Sequence, residues 1–370
     1  MNTRQTRIKA EAARLSAIFI DAGAIPVETA CLQPAETLLD LYGEDIRARA
    51  YVTHDPQGGE MMLRPDFTVP VVQMHMNEGA EPARYTYNGP VWRKQQAGSA
   101  RAREYLQVGF ELFDRSNPAA SDAEVFALFA DALKGKNLRA ATGDLGILMA
   151  AVSGLSTIEP RKSALKRHIW RPKRFRQLLE RFGGGAPVLA SRAALLEAAT
   201  HTSPADLCRE AGNHVGLRSI EEISARVEKL QADAAASPID PAEMRLLESI
   251  LNMREKAPVA LENLRRIEAD MPSIGPALDR MEARLDALAT LGIDVQALDF
   301  EGSYGRTTLE YYDGFVFGFY AEGRADLPAI ASGGRYDALC EVLGQGRTIP
   351  AVGGVIRPEL IEAMEVRDGD

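Results

Sequence analysis

The sequence is poor in cysteine, and no two cysteines stand at the short spacing of a metal or redox site. Cys31, Cys208 and Cys340 are odd in number and far apart, which is typical of reduced thiols and not of a disulfide framework. The first residues lack the apolar stretch of a secretory signal, and no apolar run approaches the roughly 20 residues of a membrane span. We therefore expect a cytoplasmic protein without a membrane partner.

Motifs for common cofactors and metals are missing as well. No GxGxxG or GxxxxGK[ST] segment follows a predicted strand, which argues against a dinucleotide fold and a P-loop. The five histidines are scattered without an HxxxH pair, and no Ser/His/Asp set can be assembled. We therefore expect no metal and no cofactor.

The charge balance is acidic, with a formal net charge of -9 over 370 residues. An acidic surface repels phosphate backbones, so nucleic acid is not an expected partner. The strongest local exception is the basic stretch 162–176, which is more simply explained as a solvated charged face. A nucleic-acid-binding module acting through this stretch stays an alternative. The 46% hydrophobic content is ample for a buried core.

The order of patterns along the chain predicts an α+β fold. Residues 5–22 have a helical apolar face, and strands and helices then alternate up to about residue 154. The predicted helices of this part are 5–22, 34–42, 67–77 and 119–133, and its main strands are 51–53, 61–63, 83–93 and 104–113. Residues 155–295 read as a mainly helical insertion, and strand patterns return in 296–370. This order predicts an antiparallel sheet flanked by helices, with a core in two parts, 1–154 and 296–370.

Asp66 and Thr68 stand at a predicted strand-to-helix junction, in the segment Leu63-Arg64-Pro65-Asp66-Phe67-Thr68. A carboxylate and a hydroxyl so placed can bind an ammonium group. The alternative is a purely structural role at a helix N-cap, where both residue types are favoured.

The hairpin of strands 83–93 and 104–113 carries a second candidate. Gln107, Gly109 and Glu111 alternate, so they share one face of a strand. An amide and a carboxylate beside a glycine suit a small polar ligand such as an amino acid. The loop 94–103 after Arg93 is rich in arginine, which suits phosphate or carboxylate binding or, alternatively, a solvated hairpin end.

Two further segments lie near the end of the chain. The segment Leu309–Gly314 is expected to enter the Phe-rich strand 309–321. Neighbouring residues of a strand face opposite ways, so one of Tyr311 and Tyr312 could line a pocket while the other packs in the core. Equally, both can be core aromatics. The glycine pair 333–334 permits close approach of the backbone to a ligand, or a tight turn.

Together, these segments resemble the core of class II aminoacyl-tRNA synthetases, specifically the histidyl-tRNA synthetase lineage. Leu63–Thr68 is similar to Leu-Arg-Pro-Glu-Gly-Thr, Leu309–Gly314 to Leu-Asp-Tyr-Tyr-Thr-Gly, and Ser332–Asp337 to the Gly-Gly-Arg-Tyr-Asp turn. The spacing from Arg93 to Gln107 matches motif 2. The resemblance implies a histidine-binding set, which consists of Asp66, Thr68, Arg93, Gln107, Glu111, Tyr311 and Tyr312.

Departures from the synthetase pattern fall on its ATP-binding residues. Thr307 stands where the synthetase has its adenylation arginine, with Arg306 displaced by one residue, and Leu360 stands where motif 3 has its phosphate-binding arginine. Gln95 replaces a motif 2 glutamate. No C-terminal anticodon-binding domain is expected.

A retained histidine pocket without this machinery resembles the regulatory subunit family of short-form ATP phosphoribosyltransferase. This resemblance implies a non-catalytic homodimer that assembles with the short-form catalytic subunit, commonly as a hetero-octamer. It also implies activation of that subunit and feedback inhibition by L-histidine, in the first step of histidine biosynthesis. The alternative is a divergent synthetase paralogue that activates an amino acid.

Overall fold

A computed structural model describes residues 3–36, 39, 49–95, 98, 102–213, 215–306 and 311–365. Its strands are β1 (Ile25–Pro26), β2 (Leu32–Pro34), β3 (Val52–Asp55), β4 (Gly59–Leu63), β5 (Ala83–Trp92), β6 (Glu104–Phe113), β7 (Leu138–Asp144), β8 (Arg254–Lys256), β9 (Asp299–Glu301), β10 (Phe315–Ala321), β11 (Ala331–Arg335) and β12 (Ala351–Ile356).

The α-helices of the described ranges flank these strands or pack on one another. They are α1 (Arg4–Asp21), α2 (Thr68–Glu78), α3 (Pro118–Ala132), α4 (Leu145–Gly154), α5 (Glu159–Arg167), α6 (Pro172–Phe182), α7 (Ala190–His201), α8 (Pro204–Glu210), α9 (Ile220–Ala235), α10 (Pro241–Asn252), α11 (Ala257–Glu268), α12 (Gly275–Thr290), α13 (Asp337–Leu343) and α14 (Pro358–Glu365). None of them is long and apolar enough to cross a membrane. The helix predicted over 34–42 lies largely outside the described residues.

A nine-stranded sheet forms the centre, in the order β1-β5-β6-β12-β11-β10-β7-β9-β8, and β2-β4-β3 form a small second sheet. Neighbouring strands are antiparallel except for the pairs β1–β5 and β7–β9, which are parallel. The predicted fold class is therefore confirmed: a mostly antiparallel sheet flanked by helices. The two parallel pairs could not be predicted, because each joins segments far apart in sequence.

One face of the central sheet is sealed by aromatic side chains. Phe317 and Phe319 of β10 pack against Phe126 of α3, with ring centroids 5.5 and 5.2 Å apart. Phe19 of α1 stacks on Phe129 at 5.3 Å. Val316, between Phe315 and Phe317, points to the opposite face, as the alternation predicts. Helices α1 and α3 thus cover one face and leave the other for the site.

Helix α1 shows how local sequence sets an element. Its buried residues follow the predicted 3.6-residue spacing, with Leu15 and Phe19 fully buried. The helix ends at Asp21, and Gly23 adopts φ +87°, a left-handed conformation that glycine reaches without steric cost. The predicted helix is confirmed, and a left-handed glycine follows its end.

The stretch 155–295 contains helices α5 to α12 and the short strand β8, which pairs with β9 at the sheet edge. Buried ion pairs connect its last helix to the sheet. Arg284 of α12 contacts Asp122 at 3.2 Å and Asp144 at 2.8 Å, and Arg335 of β11 contacts Asp122 at 2.7 Å. The division of the chain at residues 154 and 295 stays a prediction.

Candidate functional site

The face of the central sheet opposite α1 and α3 carries the predicted hairpin residues. Gly109 lies opposite Tyr87 of β5 and Val355 of β12, and Glu111 lies opposite Gly353. Paired residues of neighbouring strands point to the same face. The predicted common face of Gln107, Gly109 and Glu111 is therefore confirmed by the strand register.

Glycines form the floor of this face, because side chains lie flat across them. A Cβ atom on Gly353 would lie 2.6 Å from Cδ of Glu111, and one on Gly334 would lie 2.8 Å from Cδ1 of Tyr312. The ring of Tyr87 covers Gly109 in the same way. Any larger residue at these positions would displace a candidate site residue. The glycine pair 333–334 lies within strand β11, so the tight-turn alternative is wrong, and close approach to a ligand stays a prediction.

Glu111 is the centre of a buried hydroxyl cluster. Its carboxylate accepts hydrogen bonds from Thr68 Oγ1 at 2.8 Å, Tyr87 Oη at 2.9 Å and Tyr336 Oη at 2.5 Å. Burial raises the pKa of Glu111 to about 7. The three hydroxyl donors lower this pKa, and the charge of Asp66 raises it. The carboxyl group therefore titrates near neutral pH, and its ionised form can accept a hydrogen bond from a ligand N–H group.

Asp66 and Thr68 lie at the start of α2 but are not a simple helix cap. The N-cap residue is Phe67, which makes no side-chain cap hydrogen bond. Thr68 donates to Glu111, which leaves its lone pairs as acceptors. Asp66 is buried, and its Oδ1 accepts a hydrogen bond from the Val69 amide at 3.4 Å, three residues further on, as a capping carboxylate does. The capping alternative therefore fails for Thr68 and holds for Asp66.

Gln107 has an unusual environment. Its side chain is 0% exposed, and neither the amide nitrogen nor the amide oxygen has a hydrogen-bond partner among the described residues. A buried polar group without a partner costs about 1–3 kcal/mol. Such a cost at a site lined by polar groups is expected where a ligand supplies the missing partners.

Tyr311 and Tyr312 precede strand β10 and are not part of it, so the predicted opposite orientation on a strand is wrong. Directly after them, the Asp313 side chain accepts hydrogen bonds from the amides of Asp337 and Ala338, and the Asp313 amide donates to the Arg335 carbonyl. Both tyrosine rings are buried, with centroids 4.9 Å apart, and the Tyr311 ring lies 6.0 Å from that of Tyr336. The structure therefore brings both rings to the Glu111 side of the sheet. Leu309 and Thr307 lie outside the described residues.

Arg93 lies beside the candidate site, whereas Arg306 and Leu360, at or next to departures from the synthetase pattern, contact other parts of the chain. Arg93 donates from Nε to the carbonyl of Pro65 at 2.9 Å, directly before Asp66. Arg306 points away, toward the helices: it donates to the Ile169 carbonyl at 2.7 Å. Leu360 packs against the hydrophobic core.

Sequence reasoning missed three contributors to the site: Tyr87, Tyr336 and Arg357. Tyr87 could have been found, because it faces Gly109 in a predicted hairpin. Tyr336 lies 225 positions beyond Glu111. Arg357 stands one residue past the end of β12, where no local pattern distinguishes it from a helix-flanking charge.

Comparisons with known proteins agree over nearly the whole chain. The family model for histidyl-tRNA synthetase matches residues 2–245 and 221–361. An ATP phosphoribosyltransferase regulatory subunit of Mesorhizobium japonicum is 32% identical over 389 residues, covering 97% of this chain and 98% of that protein. The protein of the same name from Brucella ovis is 32% identical, covering 91% and 92%.

Solved structures show the same fold. An ATP phosphoribosyltransferase regulatory subunit/histidyl-tRNA synthetase from Bacillus halodurans superposes with a TM-score of 0.68 at 21% identity, covering 98% of this chain and 80% of that one. A histidyl-tRNA synthetase from Nostoc gives a TM-score of 0.64 at 16% identity, covering 98% and 73%.

Proposed function

The chain belongs to the ATP phosphoribosyltransferase regulatory subunit family, which shares the fold of histidyl-tRNA synthetases, and we propose that it regulates a catalytic subunit in response to histidine. It binds the short-form catalytic subunit, activates it, and makes it sensitive to L-histidine. The chemistry, phosphoribosyl transfer to ATP, resides on the partner. Histidine then acts by binding one state of the complex better than another.

The observation that carries this proposal is the unpaired amide of Gln107, on the strand face that also carries Glu111. The α-ammonium group of histidine has three donors, which suit Asp66, the free lone pairs of Thr68, and Gln107 Oε1. An imidazole N–H suits the Glu111 carboxylate. We propose that Tyr311 and Tyr312 pack against the ligand's ring.

The positions of the charged groups support a subunit without adenylation activity. Adenylation develops charge on phosphate oxygens, and positive groups aimed at that charge supply much of the catalysis. Leu360 is apolar and packed, and the Arg306 guanidinium lies 4.8 Å over the Phe175 ring in the helical segment. We therefore infer that neither side chain contacts a nucleotide bound beside Gln107.

Assembly is part of the proposal. We infer a homodimer core within a hetero-oligomer, most simply a hetero-octamer, in the cytoplasm, with L-histidine as effector. The apolar side chains of Ile25, Leu32 and Val52 are exposed on β1, β2 and β3 and supply a surface for such contacts. The helical stretch 155–295 acts as an insertion between the two parts of the core.

The experiment is to measure phosphoribosyl-ATP formation by a short-form catalytic subunit, with and without this chain, while histidine is titrated. The proposal predicts stimulation on mixing and loss of the stimulated rate as histidine rises. No stimulation and no stable complex would contradict it. Histidine-dependent ATP–pyrophosphate exchange, measured in parallel, would reveal the amino-acid-activating alternative.

A further inference from the structure

Arg357 lies on the same face of the sheet as the candidate site residues, one residue past the end of β12. The last pair between β12 and β6 is Ile356 with Val108, so Arg357 follows at the level of Gln107. By alternation it lies on the same face as Gly353 and Val355, which is the face that carries Gln107 and Glu111.

The guanidinium of Arg357 is held by neutral acceptors. Nη1 donates to the carbonyl of Ala329 at 2.9 Å, and Nη2 donates to Ser332 Oγ at 3.0 Å. The hydroxyl of Tyr105 is a further oxygen nearby, and it raises the pKa of Arg357. These contacts fix the planar fork on the pocket face of the sheet, which is the arrangement that two-point recognition of a carboxylate requires.

The charge of Arg357 has no balancing carboxylate among the residues that the structure describes. No carboxylate of the described residues forms an ion pair with it, in contrast to buried Arg284 and Arg335. Burial lowers the pKa of Arg357, and the positive charge of nearby Arg93 lowers it further. Two like charges held close together at a half-buried site favour an anion from outside.

We propose that Arg357, together with Arg93, binds the α-carboxylate of the amino acid whose ammonium group lies at Gln107. This rests on the proposed function, since it takes the pocket as an amino-acid site. It assigns the carboxylate contact to an arginine that follows β12, at a position distinct from Thr307 and Leu360. The pocket therefore selects a free amino acid over analogues that lack the carboxylate.

The test compares L-histidine with L-histidinol, which carries a hydroxymethyl group in place of the carboxylate. Each is titrated calorimetrically into the full-length wild type, Arg357→Gln, Arg357→Lys and the control Arg266→Gln. Arg266 is exposed on α11 and pairs only with neighbours on its own helix. The Gln variant removes the same charge at both positions.

Wild type and Arg266→Gln should prefer histidine to histidinol by about 10- to 100-fold, the value of one charge-assisted, two-point contact. In Arg357→Gln the histidine affinity should fall at least about tenfold, with histidinol affinity little changed, and Arg357→Lys should keep part of the preference. Because both ligands titrate the same sample, their ratio does not depend on how much of a variant is folded.

Two outcomes separate the proposals. A wild type that binds histidine and histidinol equally, or a preference that is unchanged in both Arg357 variants, overturns the carboxylate assignment and leaves the histidine pocket standing. A wild type that binds neither ligand overturns the pocket, and the carboxylate assignment with it.

Discussion

The carboxylate of Glu111 lies directly over the Cα atom of Gly353 on the neighbouring strand, in space that any side chain at residue 353 would occupy. This contact explains why the sequence places glycine within a strand, where it is otherwise unfavourable. It also makes Glu111 dependent on a strand 240 residues further along the chain.

Gly353→Ala should therefore weaken histidine binding by displacing Glu111 from Thr68, Tyr87 and Tyr336. We also expect a loss of about 1–3 kcal/mol in the free energy of unfolding, since the buried cluster has no room for a methyl group. Calorimetry and urea denaturation measure the two effects. The control is Gly185→Ala, where a Cβ atom would meet only Glu180, at 3.3 Å. Equal effects of the two substitutions would argue against a special contact.

Gln107→Met should stabilise the protein while it removes ligand binding. The substitution replaces an unpaired buried amide by an apolar side chain of similar length, which relieves a cost of about 1–3 kcal/mol. The free energy of unfolding without ligand and the affinity for histidine are the quantities to measure. A variant that is less stable than wild type would indicate that the amide has partners in the folded chain.

Arg284→Met should destabilise the protein by about 3–5 kcal/mol, because it leaves the buried carboxylate of Asp144 without its cation. The double variant Arg284→Met/Asp144→Asn should recover part of this loss, since the charge is removed as well. Arg266→Met, on an exposed helix face, should change stability by no more than about 1 kcal/mol. If the double variant recovers none of the lost free energy of unfolding, the loss comes from packing and not from the unpaired charge.

Stability should also depend on pH through Glu111. Its pKa in the folded chain is about 7, above the ordinary 4.5, so the folded state binds more protons between these values than the unfolded state does. The free energy of unfolding therefore falls as pH rises from about 5 to 7, by about 1–3 kcal/mol from this group. The pKa of Asp313 is likewise raised to about 7, by burial and by Asp337.

Urea denaturation of wild type and Glu111→Gln at pH 5, 6, 7 and 8 isolates the Glu111 contribution, since Asp313 titrates in both proteins. The stability of wild type relative to Glu111→Gln should decline across this range. A difference that is constant with pH would mean that Glu111 does not titrate there.

The sequence predicted those parts of the site that depend on local periodicity. Alternation along β6 placed Gln107 and Glu111 on one face, and the apolar spacing of α1 and the hairpin gave elements that the structure confirms. The junction at Asp66 and Thr68 was found from residue type and position. These features need no knowledge of distant contacts.

The remaining features depend on contacts between segments far apart in sequence. Tyr311 and Tyr312 are residue types typical of a strand, but β10 begins only at Phe315. Between the tyrosines and this strand, Asp313 accepts hydrogen bonds from the amides of Asp337 and Ala338, which are distant in sequence. The donor Tyr336 and the cation Arg357 reach the pocket only through the order of β6, β12 and β11. Strand order is set by packing of the whole chain, which periodicity does not encode.

The most direct test of the central claim is the histidine concentration that half-inhibits the reconstituted complex, measured with wild type and with Gln107→Ala. We predict that both chains activate the short-form catalytic subunit equally, and that the variant needs at least about tenfold more histidine for half-inhibition. Equal histidine sensitivity of the two complexes would contradict the account, because the effector would then act without the Gln107 pocket.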